Sequence, residues 1–229
     1  MYTDIHTHIL PNTDDGSNSI STSMEMLRMA SANGVDLICL TPHFEHGQSI
    51  TGKELSERYQ TFCDQAKDSG IVLKLGSELL YSRELASDIE KGIALTMNGT
   101  RRILVEFYPD DSEVAILEGI RHLYNCGHIV ILAHMERYHN INRRTVEKLL
   151  NMDVQLQMNS HYAKDLFRPV FGRKAWHKSL LKDGYISYIA TDAHGINYRK
   201  PDLFADEIKR NVPKYADAML SENALWLNE

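Results

Sequence analysis

Short apolar runs alternate with helix-length segments along this 229-residue chain, and nearly every run leads into a histidine, an aspartate or a glutamate. The runs 2–6, 35–40, 71–75, 102–107, 129–133, 154–158 and 186–190 read as strands. Val35 to Leu40, Ile71 to Leu75 and Ile129 to Ala133 are nearly continuous in apolar residues, as strands covered on both faces tend to be. Between the runs, Ile20, Met24, Leu27 and Ala30 recur at helical spacing before the stop at Asn33-Gly34. Thr51 to Glu54 has the form of a capping box, followed by Leu55, Tyr59, Phe62 and Ala66 on one face and Gly70 at the end. Segments 112–125, 143–151, 173–182 and 202–210 read as further helices. Repeated β-then-α units imply a parallel sheet. Seven of them at this length predict a single-domain α/β fold, a closed or nearly closed TIM-like (β/α)7 barrel, with a doubly wound open sheet as the alternative.

The residues at the strand ends carry the chemistry. His6-Thr7-His8 ends the first run, Thr41-Pro42-His43 follows the second, and Gly76-Ser77-Glu78 follows the third. Glu106 lies in the fourth, His134 follows the fifth, and Thr191-Asp192-Ala193-His194 follows the seventh. In β/α barrels the C-terminal strand ends converge on one face, where active sites are built. Alternate residues of an extended strand point the same way, so His6 and His8 can grip one ion together, as can Asp192 and His194. With His43, Glu78, Glu106, His134, and Asp15 from the loop Asp14-Asp15-Gly16, the set is imidazole and carboxylate without thiolate. Such donors suit Mn, Fe or Zn without choosing among them. A carboxylate such as Glu78 can bridge two ions, so nine ligands serve two or three metals. Taken singly, each residue has a plainer role: a packed histidine, a carboxylate capping the next helix, a turn at Asp14-Asp15-Gly16. Six strand ends sharing one chemistry argue against coincidence.

Composition narrows the partners. A formal net charge of -6 and no dense Lys/Arg block weigh against a nucleic-acid surface. Cys39, Cys63 and Cys126 are odd in number and far apart, which supports no disulfide framework and suits reducing cytosol. No apolar run approaches the roughly 20 residues that span a bilayer, and the N-terminus has no signal-peptide pattern, so a cytoplasmic protein is expected. The sixth position after each cysteine is Glu45, Ser69 or Leu132, never arginine, which rules out the phosphate loop of cysteine-dependent tyrosine phosphatases. His122, His128, His139 and His177 are expected outside the site. His46 and His161 stand close to predicted barrel-mouth loops, and Phe44 and Tyr108 are candidates to line the pocket or to pack as core.

Asp4-Ile5-His6-Thr7-His8-Ile9-Leu10-Pro11 with Asp14-Asp15-Gly16 resembles the opening signature of the bacterial protein-tyrosine phosphatases of the PHP (polymerase and histidinol phosphatase) superfamily, enzymes of capsule and exopolysaccharide biosynthesis. The resemblance continues through Thr41-Pro42-His43, Gly76-Ser77-Glu78, Glu106, Ala133-His134-Met135-Glu136-Arg137-Tyr138 and Thr191-Asp192-Ala193-His194 to Arg199, covering residues 4 to 199. Two positions depart from it: Asn12-Thr13 replaces a common Gly-Val, and Met135 a usual Pro. The resemblance implies a distorted barrel with three metal sites, usually manganese. His6, His8, Glu78 and Asp192 would hold the first ion, Glu78, Glu106 and His134 the second, and Asp15, His43 and His194 the third. It further implies hydrolysis of phosphotyrosine on the tail of a bacterial tyrosine autokinase.

In that chemistry Arg137 and Arg199 are the candidates to bind the phosphoryl group and stabilise charge growing on it. The alternatives are a small-molecule phosphatase of the histidinol-phosphate type and a non-catalytic, metal-stabilised module that docks a tyrosine kinase. A homo-oligomer is compatible with all three.

Overall fold

The computed structural model describes residues 2–228. Among the described residues nine strands occur in chain order: β1 (Tyr2–Thr7), β2 (Val35–Leu40), β3 (His43–Phe44), β4 (Val72–Leu75), β5 (Glu78–Leu80), β6 (Arg102–Glu106), β7 (Ile129–Leu132), β8 (Gln155–Asn159) and β9 (Tyr188–Ala190). The helices are α1 (Ile20–Ala32), α2 (Gly52–Ala66), α3 (Leu85–Glu90), α4 (Glu113–Asn125), α5 (Arg143–Leu150), α6 (Ser160–Asp165), α7 (Gly172–Lys182), α8 (Ala205–Asn211) and α9 (Ala216–Leu220). All strand pairs are parallel, in the orders β1-β2-β4 and β3-β5-β6-β7-β8-β9. The result is a curled parallel sheet with helices outside it.

The two ladders meet at a break that the sequence explains. Pro42 has no N–H to give, so the β2 ladder stops at Leu40 and resumes at His43. Opposite it, the third predicted run forms β4, and beyond Gly76-Ser77 the chain adds β5, which was not predicted. Gly76 N donates to Leu40 O (2.9 Å) and Glu78 N to Pro42 O (3.1 Å), carrying the sheet across the gap. At the other margin, Asp192 N donates to His6 O and His8 N to Ala193 O, each at 2.9 Å, tying the segment after β9 to β1.

One predicted cap forms only in part and one predicted helix starts later. Thr51 accepts a bond from Glu54 N, but the Glu54 carboxylate pairs with Arg58 at 2.7 Å, so only half of the capping box forms. The helix expected from residue 202 begins at Ala205, because the Asp202 carboxylate captures Phe204 N (2.8 Å) in a turn after Pro201.

Alternation along the strands sorts the core. Ile5, Leu37, Cys39, Leu104, Ile131, Ala133, Tyr188 and Ala190 fill the inside of the curl, closed at its base by Ala224, Trp226 and Leu227. The larger apolar cluster lies between sheet and helices. Continued by two residues, the inward rows of β6 and β9 pass from Leu104 to Glu106 and from Ala190 to Asp192. The interior therefore changes from apolar to ligand-bearing at the C-terminal strand ends.

Candidate metal centre

The residues expected at the strand ends meet at that mouth. His6 Nε2 lies 3.0 Å from Glu78 Oε2 and 3.5 Å from Asp192 Oδ1. His8 Nε2 lies 3.2 and 3.4 Å from the same two atoms, and the two histidine Nε2 atoms are 3.2 Å apart. Four donors at 2.0–2.2 Å from one cation stand roughly 3.3–3.6 Å apart when tetrahedral, and nearer when more ligands join. The spacing fits a divalent ion. Glu78 Oε2 and Asp192 Oδ1 are buried and have no hydrogen-bond partner, an arrangement that costs stability unless a cation completes it.

Two further groupings adjoin this one. His43 Nδ1 is 3.1 Å from Glu78 Oε2 and 3.2 Å from Glu106 Oε1. His134 Nε2 is 2.6 Å from Glu78 Oε1 and 3.4 Å from Glu106 Oε2. On the other side, Asp15 Oδ1 lies 3.5 Å from His43 Nε2 and 3.4 Å from His194 Nε2. Glu78 is central, as a bridging carboxylate must be. The partition is more shared than the resemblance implied: His8 joins Asp15, His43 and His194 in one grouping, and His43 joins Glu78 and Glu106 in another.

Positions behind the ligands fix their tautomers. The His8 Nδ1–H donates to Asp14 Oδ2 at 2.6 Å, and the His6 Nδ1–H donates to Gln157 Oε1 at 3.1 Å. Both Nε2 atoms are thereby turned into the cluster, and such a carboxylate or amide is the usual second partner of a metal-bound imidazole. Gln157 Oε1 also accepts from His134 N (2.7 Å), and Asn159 Nδ2 donates to Asp192 Oδ2 (2.8 Å). Asp14, Gln157 and Asn159 were not singled out in the sequence. For Gln157 and Asn159 the available signal was a row of three amides, Gln155, Gln157 and Asn159, at alternate positions of the eighth strand.

Electrostatics follow the geometry. Burial alone would raise the Glu78 carboxyl, but the charge of His6 and the surrounding imidazoles of His134, His6 and His8 hold it well below the usual range. Burial likewise opposes ionisation of Asp14, yet its bond and charge contact with His8 bring it down to about 2. His194 is pushed down to about 4, first by burial and then by the neighbouring His8 charge. It therefore stands as a neutral imidazole, the form that binds a metal.

Both arginines stand beside the cluster. Arg137 Nη2 bonds Asp192 Oδ2, and Arg199 Nη1 lies 3.3 Å from the same oxygen. They border a cavity of about 580 Å³, lined also by Glu136, His161, Tyr162 and Tyr198. His161 is thus at the mouth, whereas His46 is bound to Asp88 at 2.6 Å. Phe44 is buried core, and Tyr108 is exposed. Of the histidines expected outside, His139 pairs with Asp110 and His177 is buried against Tyr162.

The family model for capsular polysaccharide synthesis proteins, CpsB/CapC, matches residues 2–228. The tyrosine-protein phosphatase CpsB of Streptococcus pneumoniae is 30% identical over 209 residues, covering 86% of this chain and 85% of that protein. The tyrosine-protein phosphatase YwqE of Bacillus subtilis is 30% identical over 203 residues, covering 86% and 78%. Among solved structures, one reported with YwqE from Bacillus subtilis and CpsB from Streptococcus pneumoniae, described as metal-dependent tyrosine phosphatases, aligns with a TM-score of 0.88. The match has 28% identity and covers 99% of this chain and 94% of that one.

Proposed function

The chain belongs to the CpsB/CapC family of capsular polysaccharide synthesis proteins, and on that basis we propose that it is a metal-dependent phosphatase acting on phosphotyrosine in proteins. One observation carries the reading: a buried imidazole–carboxylate cluster whose Asp192 also holds two arginines facing a cavity.

In this reading His6, His8, Asp15, His43, Glu78, Glu106, His134, Asp192 and His194 hold the ions, three in number, with manganese foremost and iron or zinc as alternatives. When bound, divalent ions supply Lewis acidity and make water nucleophilic near neutral pH. The chain supplies the rest. Asp14 and Gln157 hold the imidazoles of His8 and His6 in the ligating tautomer. Arg137 and Arg199, each with one edge on Asp192, bind the phosphoryl oxygens and stabilise the charge that grows on them during in-line attack. Tyrosinate, with a pKa of about 10, leaves without strong acid assistance. The sheet is read as a distorted seven-unit barrel in one domain, supported by the bonds between β1 and the segment after β9. The substrate is read as the tyrosine-rich tail of a bacterial autokinase in capsule or exopolysaccharide synthesis, met in the cytoplasm. Among the described residues no helix is long and apolar enough to cross a membrane.

The test is hydrolysis of a phosphotyrosine peptide by chelator-stripped protein with Mn²⁺, Zn²⁺ or Mg²⁺ restored separately, beside phosphoserine peptide and histidinol phosphate. Metal-dependent turnover favouring phosphotyrosine is expected. Silence there with turnover of histidinol phosphate replaces the substrate. In Arg137→Ala, bound metal should remain near the wild-type amount while kcat falls on the order of 10²–10³-fold. An unimpaired variant removes Arg137 from the mechanism.

A further inference from the structure

We propose that Tyr198 is a specificity residue, the wall on which the aromatic leaving group stacks, so that the cavity beside the cluster favours aryl over alkyl phosphates. The proposal rests on the phosphatase reading and names what sets its substrate preference.

The cavity, at about 580 Å³, is far larger than a phosphoryl group needs. Its entrance carries Tyr198, whose surface is 68% exposed although it lines the cavity. The ring is not on a free loop. His194 N donates to Arg199 O at 3.0 Å, closing the segment that begins at the ligands Asp192 and His194. Arg199 takes a left-handed backbone, φ 42°, and its guanidinium carbon lies 5.2 Å from the centre of the Tyr198 ring. Arg199 thus stands between Asp192 Oδ2 and an aromatic face. An aryl phosphate bound through Arg199 would set its ring beside that of Tyr198, and aromatic pairs attract at centroid separations of 4.5–7 Å. A seryl phosphate brings only a methylene to the same place.

The inner lining points to a ligand larger than phosphate. Glu136 Oε2 and His161 Nδ1 are buried without a hydrogen-bond partner, and both side chains line this cavity. Glu136 is more than nine-tenths buried, and its other oxygen accepts from Asn159 N. A buried carboxylate oxygen left open beside a cavity is a receptor for an N–H, and a peptide main chain flanking phosphotyrosine carries such donors.

The experiment compares metal-loaded wild type, Tyr198→Ala and Tyr198→Phe on phenyl phosphate and ethyl phosphate. Calorimetric binding of benzylphosphonate and methylphosphonate runs alongside. Tyr198→Ala should lower the aryl-to-alkyl ratio of kcat/KM roughly three- to tenfold, mainly through KM, and Tyr198→Phe should restore it. The phosphonate affinity ratio should move by the same factor. An unchanged ratio in Tyr198→Ala, or an equal loss in Tyr198→Phe, overturns the proposal. If the wild type turns over neither these esters nor a phosphotyrosine peptide, the phosphatase reading fails, and the phosphonates still decide the role of Tyr198: equal affinities for the two overturn it.

Discussion

Three side chains at the mouth sit on backbone that L-residues avoid: His134 at φ 28°, Asp192 at φ 53° and Arg199 at φ 42°. Each such conformation costs on the order of 1–3 kcal/mol and persists where the surroundings over-determine it. At His134 the purpose is visible. Ala133 points into the curl, so alternation would send the next side chain outward, and the turn brings its Nε2 back to Glu78. Gly16 is equally constrained, since a Cβ there would lie 2.2 Å from His8 O. Asp14 joins the turn to the cluster by accepting from Gly16 N (2.9 Å), His43 N (3.0 Å) and His8 Nδ1 (2.6 Å). Asp14→Asn keeps the shape and removes the charge that orients His8. We expect a 10- to 100-fold loss of metal affinity with an unchanged fold, read by metal titration of stripped protein beside circular dichroism. Unaltered affinity would reduce Asp14 to a turn residue. The ligand types were conspicuous in the sequence because each stands alone after an apolar run. Asp14 and Gln157 were not, because their task is to hold another side chain and their neighbours offer a simpler reading.

At the scale of elements, every run read as a strand forms one, because apolar β-branched stretches have a local signature. The strands β3 and β5, of two and three residues, carry too few positions for any period to show. They exist because Pro42 and Gly76-Ser77 break longer runs and the sheet resumes on the far side, setting His43 beside Glu78 in register. The helix α7 illustrates a different hidden feature, a histidine serving as core. His177 is fully buried; its Nε2 accepts from Arg173 Nε (3.4 Å) and its Nδ1–H donates to Tyr162 Oη (2.6 Å). Burial, then the Arg173 charge, pushes the imidazole down to about 4. Between that value and the ordinary pKa of about 6.5 the unfolded chain binds a proton that the folded chain refuses, so stability falls as pH is lowered through this window. The slope from this group is at most about 1.4 kcal/mol per pH unit. His177→Gln loses that slope. Urea unfolding at pH 7 and at pH 4.5 should show wild type above the variant at neutral pH and the gap narrowing in acid; parallel curves would contradict it.

For the molecule as a whole, the mouth concentrates Asp14, Asp15, Glu78, Glu106 and Asp192 on a chain already at a formal net charge of -6. Histidine protons and two arginines offset part of that charge when no metal is bound. Divalent ions bound there would replace the protons and cross-link the first strand to the segment after the last, because His6 and His8 share their group with Asp192. The unfolded chain has no such site, so binding acts almost wholly on the native state. At free metal 100 times the dissociation constant, one site adds about 2.7 kcal/mol. For a chain of 150–250 residues each kcal/mol moves Tm by roughly 2–4 °C, so stripping the metal should lower Tm by about 5–11 °C per site so saturated. Scanning calorimetry with and without chelator measures it, and restoring Mn²⁺ should return the transition. Because the ligands come from strands spread over the sheet, loss of metal should move a single cooperative transition instead of detaching one part early. A chelated protein melting at the loaded temperature would mean that these nine side chains hold no ion. A split transition would mean that the sheet and its helices are not one folding unit.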